Sequence, residues 1–302
     1  GPINIKLAGG RCKRIIKSYV AIFICLATKA IHIELVFDYT TESFLNALKR
    51  MMSRRGKVGH LFSDNGTNFV GANKELQAIK KMFMSNEFNT DVVAHLGSEG
   101  IAWKFIPPNS PYMGGILEAE VKSFKQHFKR VVGSLLIAQE EMYTLLALIE
   151  ACLNSRPLTP INNDPNDLEP LTPGHFLVGT PLTAPPEPSL LQLPDNRLSR
   201  WQRVEKLRQL FWHRWQREYL TELQKRHKWC KSPSQPLDVG RMVVLRDDNV
   251  PPLQWKMGRV TDLHPGSDGV TRVVTVKTAT GNTRRGVNRL SVLPVETNAP
   301  VV

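Results

Sequence analysis

IIKSYVAIFICLATKAIHIELVF, residues 15–37, decides the fold. Its two halves, 15–26 and 30–37, are rich in β-branched and aromatic residues, which suit a pleated, half-buried surface. Only Ala27-Thr28-Lys29 separates them, so they predict an antiparallel pair. Thr40-Thr41-Glu42 then predicts a helix start, and Phe44, Leu45, Leu48 and Met52 recur at helical spacing up to Gly56. Val58 to Phe62 predicts a short buried strand, with Asp64 directly after it. A helix is expected from about Ala72 to Met84, a loop or insertion over 85–98, and a strand over 101–107. Helices are expected over 114–132 and 138–154. This α/β order suits a mixed sheet with helices on both faces.

The remainder reads differently. Residues 157–198 hold ten of the 21 prolines and little periodicity, and predict an extended linker rather than a core of their own. Residues 199–229 predict a long amphipathic helix with Trp201, Val204, Leu207, Phe211, Trp215, Leu220 and Leu223 on its apolar side. Aromatic spacing of three to four favours core packing over base stacking. From about 237 the period shortens. HPGSDG and TGN are turn chemistry between short strands, and four or five strands in so short a span predict a small β-barrel. The expected boundaries are thus 1–156, 157–198, 199–230 and 236–295.

The formal net charge is +13 over 302 residues. Residues 1–196 hold 20 Lys/Arg against 18 Asp/Glu, whereas 197–295 hold 20 against 8. A basic C-terminal third on a near-neutral body points to a polyanion, most simply nucleic acid. No stretch predicts a membrane span, YVAIFICLA being too short. Four scattered cysteines give no disulfide framework, and a reducing compartment is the simplest expectation. His227 and Cys230 lie three apart but lack a second pair for zinc.

Two carboxylates stand out. Asp64 sits at a strand end in FSDNGTNF (62–69), and Glu118 near the start of a helix in SPYMGGILEAEVKSFK (110–125). Carboxylates on rigid elements can share divalent ions and process phosphodiesters. Each also has a plainer meaning: a surface Asp-Asn-Gly turn, and a solvated helix carboxylate. Glu118, Lys122, Lys125 and Lys129 recur on one helical stripe, which could hold metal at one end and phosphate beyond it. Ordinary Glu118–Lys122 pairing is the alternative.

TKAIHIELV (28–36), SRRGKVGHLFSDNGTNFVGAN (53–73), Trp103 with FIPPNSPYMGGILEAEVKSFK (105–125), NSRPLTP (154–160) and LTPGHFLVG (171–179) together resemble the integrase of a Bel/Pao-type LTR retrotransposon. Residues 199–294 resemble the segment that follows the core in such elements. The resemblance implies an RNase H-like mixed five-stranded sheet flanked by helices, then a long helix and a barrel of the Src-homology-3 (SH3) kind. It implies 3′-end processing and strand transfer by an Asp-Asp-Glu triad holding two Mg²⁺ (or Mn²⁺), with Asp64 second and Glu118 third. It implies DNA contact by Asn65, Thr67, Lys122 and Lys125. Lys129 and the barrel residues Arg284 and Arg285 join them as candidate DNA contacts. Expected partners are element ends and target DNA, in a homo-oligomer, with nuclear localisation and no membrane.

Three departures accompany this. Fifty-three residues separate Asp64 from Glu118, longer than in retroviral enzymes and consistent with an insertion at 85–98. The zinc-binding N-terminal domain is absent. The first triad Asp is expected upstream of Gly1-Pro2, and Asp38 matches a non-catalytic position. An inactive or domesticated DNA-binding module is therefore the competing expectation, and an RNase H-type nuclease a third.

Overall fold

The computed structural model describes residues 2–7, 14–63, 67–85, 101–105, 111–133, 135–162, 164–185, 187–229 and 237–293. Side chains are described for all of these except 67, 78–85, 105, 111–120 and 225–229. The chain divides into two compact units. The first is Gly1–Ile24, His32–Gln126 and Ser134–Leu146; the second is Cys25–Ile31, His127–Gly133 and Ala147–Val302.

In the first unit, β1 (Ile3–Lys6), β2 (Ile15–Ile24) and β3 (Ile31–Val36) lie side by side. β1 runs antiparallel to β2, with Ile3 opposite Ser18. The helix α1 (Thr41–Arg55) begins where expected. Thr40 caps it by accepting from the Ser43 N–H at 3.2 Å, and Gly56 ends it at φ 89°, the left-handed region glycine enters without strain. Glu42 in the first turn and Arg54 and Arg55 in the last complement the helix dipole. Phe44, Ala47, Leu48 and Met51 form its buried face. Glu34 on β3 is 3% exposed and receives Arg50 Nε and Arg54 Nη1, each at 2.8 Å, which ties α1 to the sheet.

β4 (His60–Ser63) and β5 (Ala102–Phe105) pair in parallel, with Ser63 opposite Phe105. Between them α2 (Thr67–Ser85) begins five residues earlier than the sequence predicts, directly after Gly66. Gly71 explains the fit of its first turns, since a Cβ there would overlap Thr41 Oγ1. The single five-stranded sheet of the expectation is two ladders among the described residues. A strand has two edges; β2 takes one edge of β1 and β6 (Ile137–Ala138) takes the other at Ile5–Lys6. β4 is thus left to pair with β5.

Helices α3 (Pro111–Val132) and α4 (Gln139–Asn154) each begin in the first unit and end in the second. In the second unit, α6 (Arg200–Trp229) opens with a reciprocal cap. The Ser199 N–H donates to Gln202 Oε1 at 2.9 Å, and the Gln202 N–H to Ser199 Oγ at 3.4 Å. β9 (Met242–Leu245), β10 (Met257–Pro265), β11 (Thr271–Thr278), β12 (Gly281–Gly286) and β13 (Leu290–Val292) form one antiparallel sheet ordered β12-β11-β10-β9-β13. Strand alternation separates its faces. Val243 and Leu245 pack with Val260, Val274, Val276 and Leu290, while Met242 and Val244 pack with Leu220 and Leu223 of α6. Register shifts after Val260 and after His264 bend β10.

Trp212 and Trp215 are buried against Trp255, with ring centroids 4.9 and 5.9 Å apart; the apolar stripe predicts this for Trp215, whereas Trp212 falls outside the predicted stripe. Trp201 is the exception at 64% exposed. Residues 157–198 carry a short pair, β7 (Thr159–Pro160) with β8 (Pro170–Leu171), and a one-turn helix α5 (His175–Val178). Distant side chains hold this stretch. Gln209 donates to the Pro188 carbonyl and accepts from the Leu190 N–H, and Arg259 donates to the Asn162 and Asp167 carbonyls.

Candidate functional site

The parallel pair β4–β5 sets the frame. In parallel sheets, ligands gather beyond the carboxyl ends of strands, where successive connections leave the same edge. Ser63 is the last residue of β4, and α2 starts at Thr67. Asp64 and Asn65 fall in that interval and lie outside the described residues. Their flanks are firmly set. Trp103 Nε1 donates to Ser63 Oγ at 2.9 Å. Phe69, in the first turn of α2, packs edge-on against Phe44 at 4.8 Å, and both rings touch Trp103. One aromatic cluster therefore anchors both the strand before Asp64 and the helix after it.

Glu118 is the eighth residue of α3; its side chain, like that of Thr67, lies outside the described set. Lys122, Lys125 and Lys129 are exposed, while Phe124, His127, Phe128, Val131 and Val132 are buried on the other side of the helix. None of the three lysines has an ion-pair partner among the described residues, a set that leaves out the side chains of Glu118 and Glu120.

Asp38 is committed elsewhere. Its carboxylate accepts from the Thr40 N–H and Thr40 hydroxyl, and bonds from Ser43 and Thr40 hold it below the usual carboxylate range. Arg284 and Arg285 are exposed on β12, the edge strand of the C-terminal sheet. Of the basic excess in the C-terminal third, residues 197–236 carry 11 Lys/Arg against 3 Asp/Glu and residues 237–295 carry 9 against 5. The charge thus belongs to α6 and its flanks more than to the sheet. His227 and Cys230 lie outside what is described, and no group of three metal-ligating side chains occurs among the described residues.

Two features escaped the sequence. NSRPLTP is a structural bracket in the second unit. Asn154 bonds both the N–H and the carbonyl of Ile31; Arg156 donates to the carbonyls of Lys29 and Leu153; Ser155 Oγ receives Trp255 Nε1 at 3.2 Å. The other is a helix crossing. His127 Nε2 of α3 lies 2.9 Å from Glu218 Oε2 of α6, without the alignment of a hydrogen bond, and its ring meets Phe211 edge-on at 6.0 Å. Partners so far apart in sequence leave no periodic signal.

Residues 199–293, which span α6 and the C-terminal sheet, match a family of unknown function (DUF5641). The match covers under a third of the chain. No curated protein matches. Among solved structures, a chain of the simian T-cell lymphotropic virus intasome in complex with PP2A regulatory subunit B56 gamma is similar at 10% identity. That alignment covers 98% of this chain and 77% of that one at a TM-score of 0.37, too slight to carry an argument. No helix among the described residues is long and apolar enough to cross a membrane.

Proposed function

We propose that this chain is an integrase-like protein of the Bel/Pao retrotransposon kind, acting on DNA ends and target DNA. One observation carries the reading: the carboxyl end of β4 in a parallel pair leads straight into Asp64, and Glu118 heads an exposed lysine stripe on α3. A carboxylate at a strand end and a carboxylate followed by exposed cations suit a phosphodiester held beside a metal. The β3-β2-β1 order, followed by a helix and a parallel pair, supports an RNase H-like core. The order β13-β9-β10-β11-β12, with a bent central β10 and a 3₁₀ turn (Val287–Arg289) before the last strand, supports an SH3-like barrel.

Asp64 and Glu118 are hard oxygen donors of the type Mg²⁺ or Mn²⁺ takes. A bound ion pair would supply activation of the attacking oxygen and stabilisation of the leaving one. In this reading Asn65, Thr67, Lys122, Lys125, Lys129, Arg284 and Arg285 hold DNA phosphates, the protein acts as a homo-oligomer, and the reaction is nuclear. In this reading Asp64 and Glu118 supply two of the triad's three carboxylates. A second reading, DNA binding without joining, is favoured by the concentration of charge on α6 and its flanks.

The test is a Mg²⁺-dependent joining assay on a protein that carries these residues and a complete triad. Asp64→Asn abolishes joining and leaves DNA binding intact. Normal joining by that variant removes the assignment.

A further inference from the structure

We infer that Arg130 and Arg214 form a phosphate-backbone contact for duplex DNA at the crossing of α3 and α6. The inference rests on the proposal that DNA is the ligand, but the site lies outside the residues that proposal uses. The crossing is fixed by His127, 2% exposed, against Glu218 and Phe211. Arg130 is three residues on from His127 along α3. Arg214 stands on α6 between Phe211 and Glu218, three residues from one and four from the other. Residues three and four apart are neighbours on a helix surface, so both arginines rise within one turn of the same contact, from two helices. Both cations also act on His127, consistent with that closeness.

Both side chains are exposed, and neither has an acidic partner among the described residues. Two exposed guanidinium groups near one helix contact are open to an external anion. The guanidinium fork matches a phosphate in two parallel hydrogen bonds, which a lone ammonium does not. An acidic protein is the other polyanion such a surface could meet. Protein partners anchor on large apolar side chains at the centre of the contact. The exposed large hydrophobic side chains nearest in sequence, Leu135, Leu136, Val121 and Trp201, all lie more than one helical turn away from either arginine along the chain. The surface is charged without an anchor, which suits a phosphate backbone.

The experiment titrates a fluorescent duplex of about 30 base pairs, roughly three helical turns, with the full 302-residue chain over a range of salt. Wild type is compared with Arg130→Gln/Arg214→Gln and with Lys49→Gln/Lys74→Gln, which removes equal charge from exposed sites of the first unit. The arginine variant should bind about tenfold more weakly, with a log–log salt slope shallower by roughly 1.8, at 0.9 per lost phosphate contact. The lysine control should stay within twofold of wild type, and melting temperatures should be unchanged. Equal losses in both variants would reduce the effect to bulk charge and overturn the contact. So would wild-type affinity in the arginine variant, or an acidic polypeptide displaced by the same substitutions as tightly as DNA. Failure of the wild type to bind any duplex would instead strike the DNA proposal itself, and this contact with it.

Discussion

Asn154 Oδ1 accepts the Ile31 N–H at 2.8 Å while Asn154 Nδ2 donates to the Ile31 carbonyl at 2.7 Å. One buried side chain thereby satisfies both polar groups of a backbone unit 123 residues away. Asn154→Ala leaves a buried donor and acceptor without partners, at a cost of about 2–4 kcal/mol. Thermal denaturation followed by circular dichroism should show a clear drop in midpoint. An unchanged midpoint would mean that water replaces the amide.

His127 makes stability depend on pH. Burial lowers its pKa, and the nearby Glu218 carboxylate offsets that only in part. The folded form therefore takes up a proton less readily than the unfolded chain. Stability is complete above the ordinary histidine range and falls as pH drops below about 6.5. The midpoint should fall between pH 7.5 and 5.5, and His127→Gln should flatten that change. An equal fall in the variant would assign the sensitivity to another group.

Trp103 holds the end of the strand that precedes Asp64. Trp103→Phe keeps most of the aromatic packing but loses the bond to Ser63, costing about 0.5–1.5 kcal/mol. Hydrogen exchange should accelerate at 60–63 in the variant while 41–55 stays protected. Uniform acceleration would indicate global rather than local loosening.

The two described cysteines should differ sharply toward alkylating reagents. Cys152 is fully buried, and burial pushes its thiol up to about 12. Cys25 is exposed; partial burial raises its thiol, but bonds from Thr28 and Ala27 together with the Lys29 charge outweigh this and hold it below the ordinary value. Peptide mapping should find Cys25 modified within minutes and Cys152 only after denaturation. Early modification of Cys152 would contradict its place in the core.

What the sequence revealed follows the range of each signal. Thr40 and Gly56 delimit α1 because caps act within a turn, and the burial of Trp215 on α6 follows from spacing alone. The first turn of α2, Thr67 to Phe69, precedes the predicted start at Ala72; Phe69 and Gly71, packed on residues of α1, make it helix. The order of strands around β1 depends on Ile137–Ala138, a two-residue pairing with no pattern of its own. Residues 157–198 read as a plain connection, since the groups that hold them, Gln209 and Arg259, lie far along the chain. For the site, residue types and spacing named Asp64, Glu118 and the lysines. The exposure of those lysines, and the places of Arg130 and Arg214 near the His127–Glu218 contact, required the fold.

In the proposed function Asp64 and Glu118 share a divalent ion. Iron-directed cleavage reads this out on the backbone: Fe²⁺ replaces Mg²⁺, ascorbate and peroxide are added, and the chain breaks beside the bound metal. Cuts near both 64 and 118 are predicted, suppressed by excess Mg²⁺ and lost together in Asp64→Asn or in Glu118→Gln. Cuts at one position that survive substitution of the other would contradict a shared site.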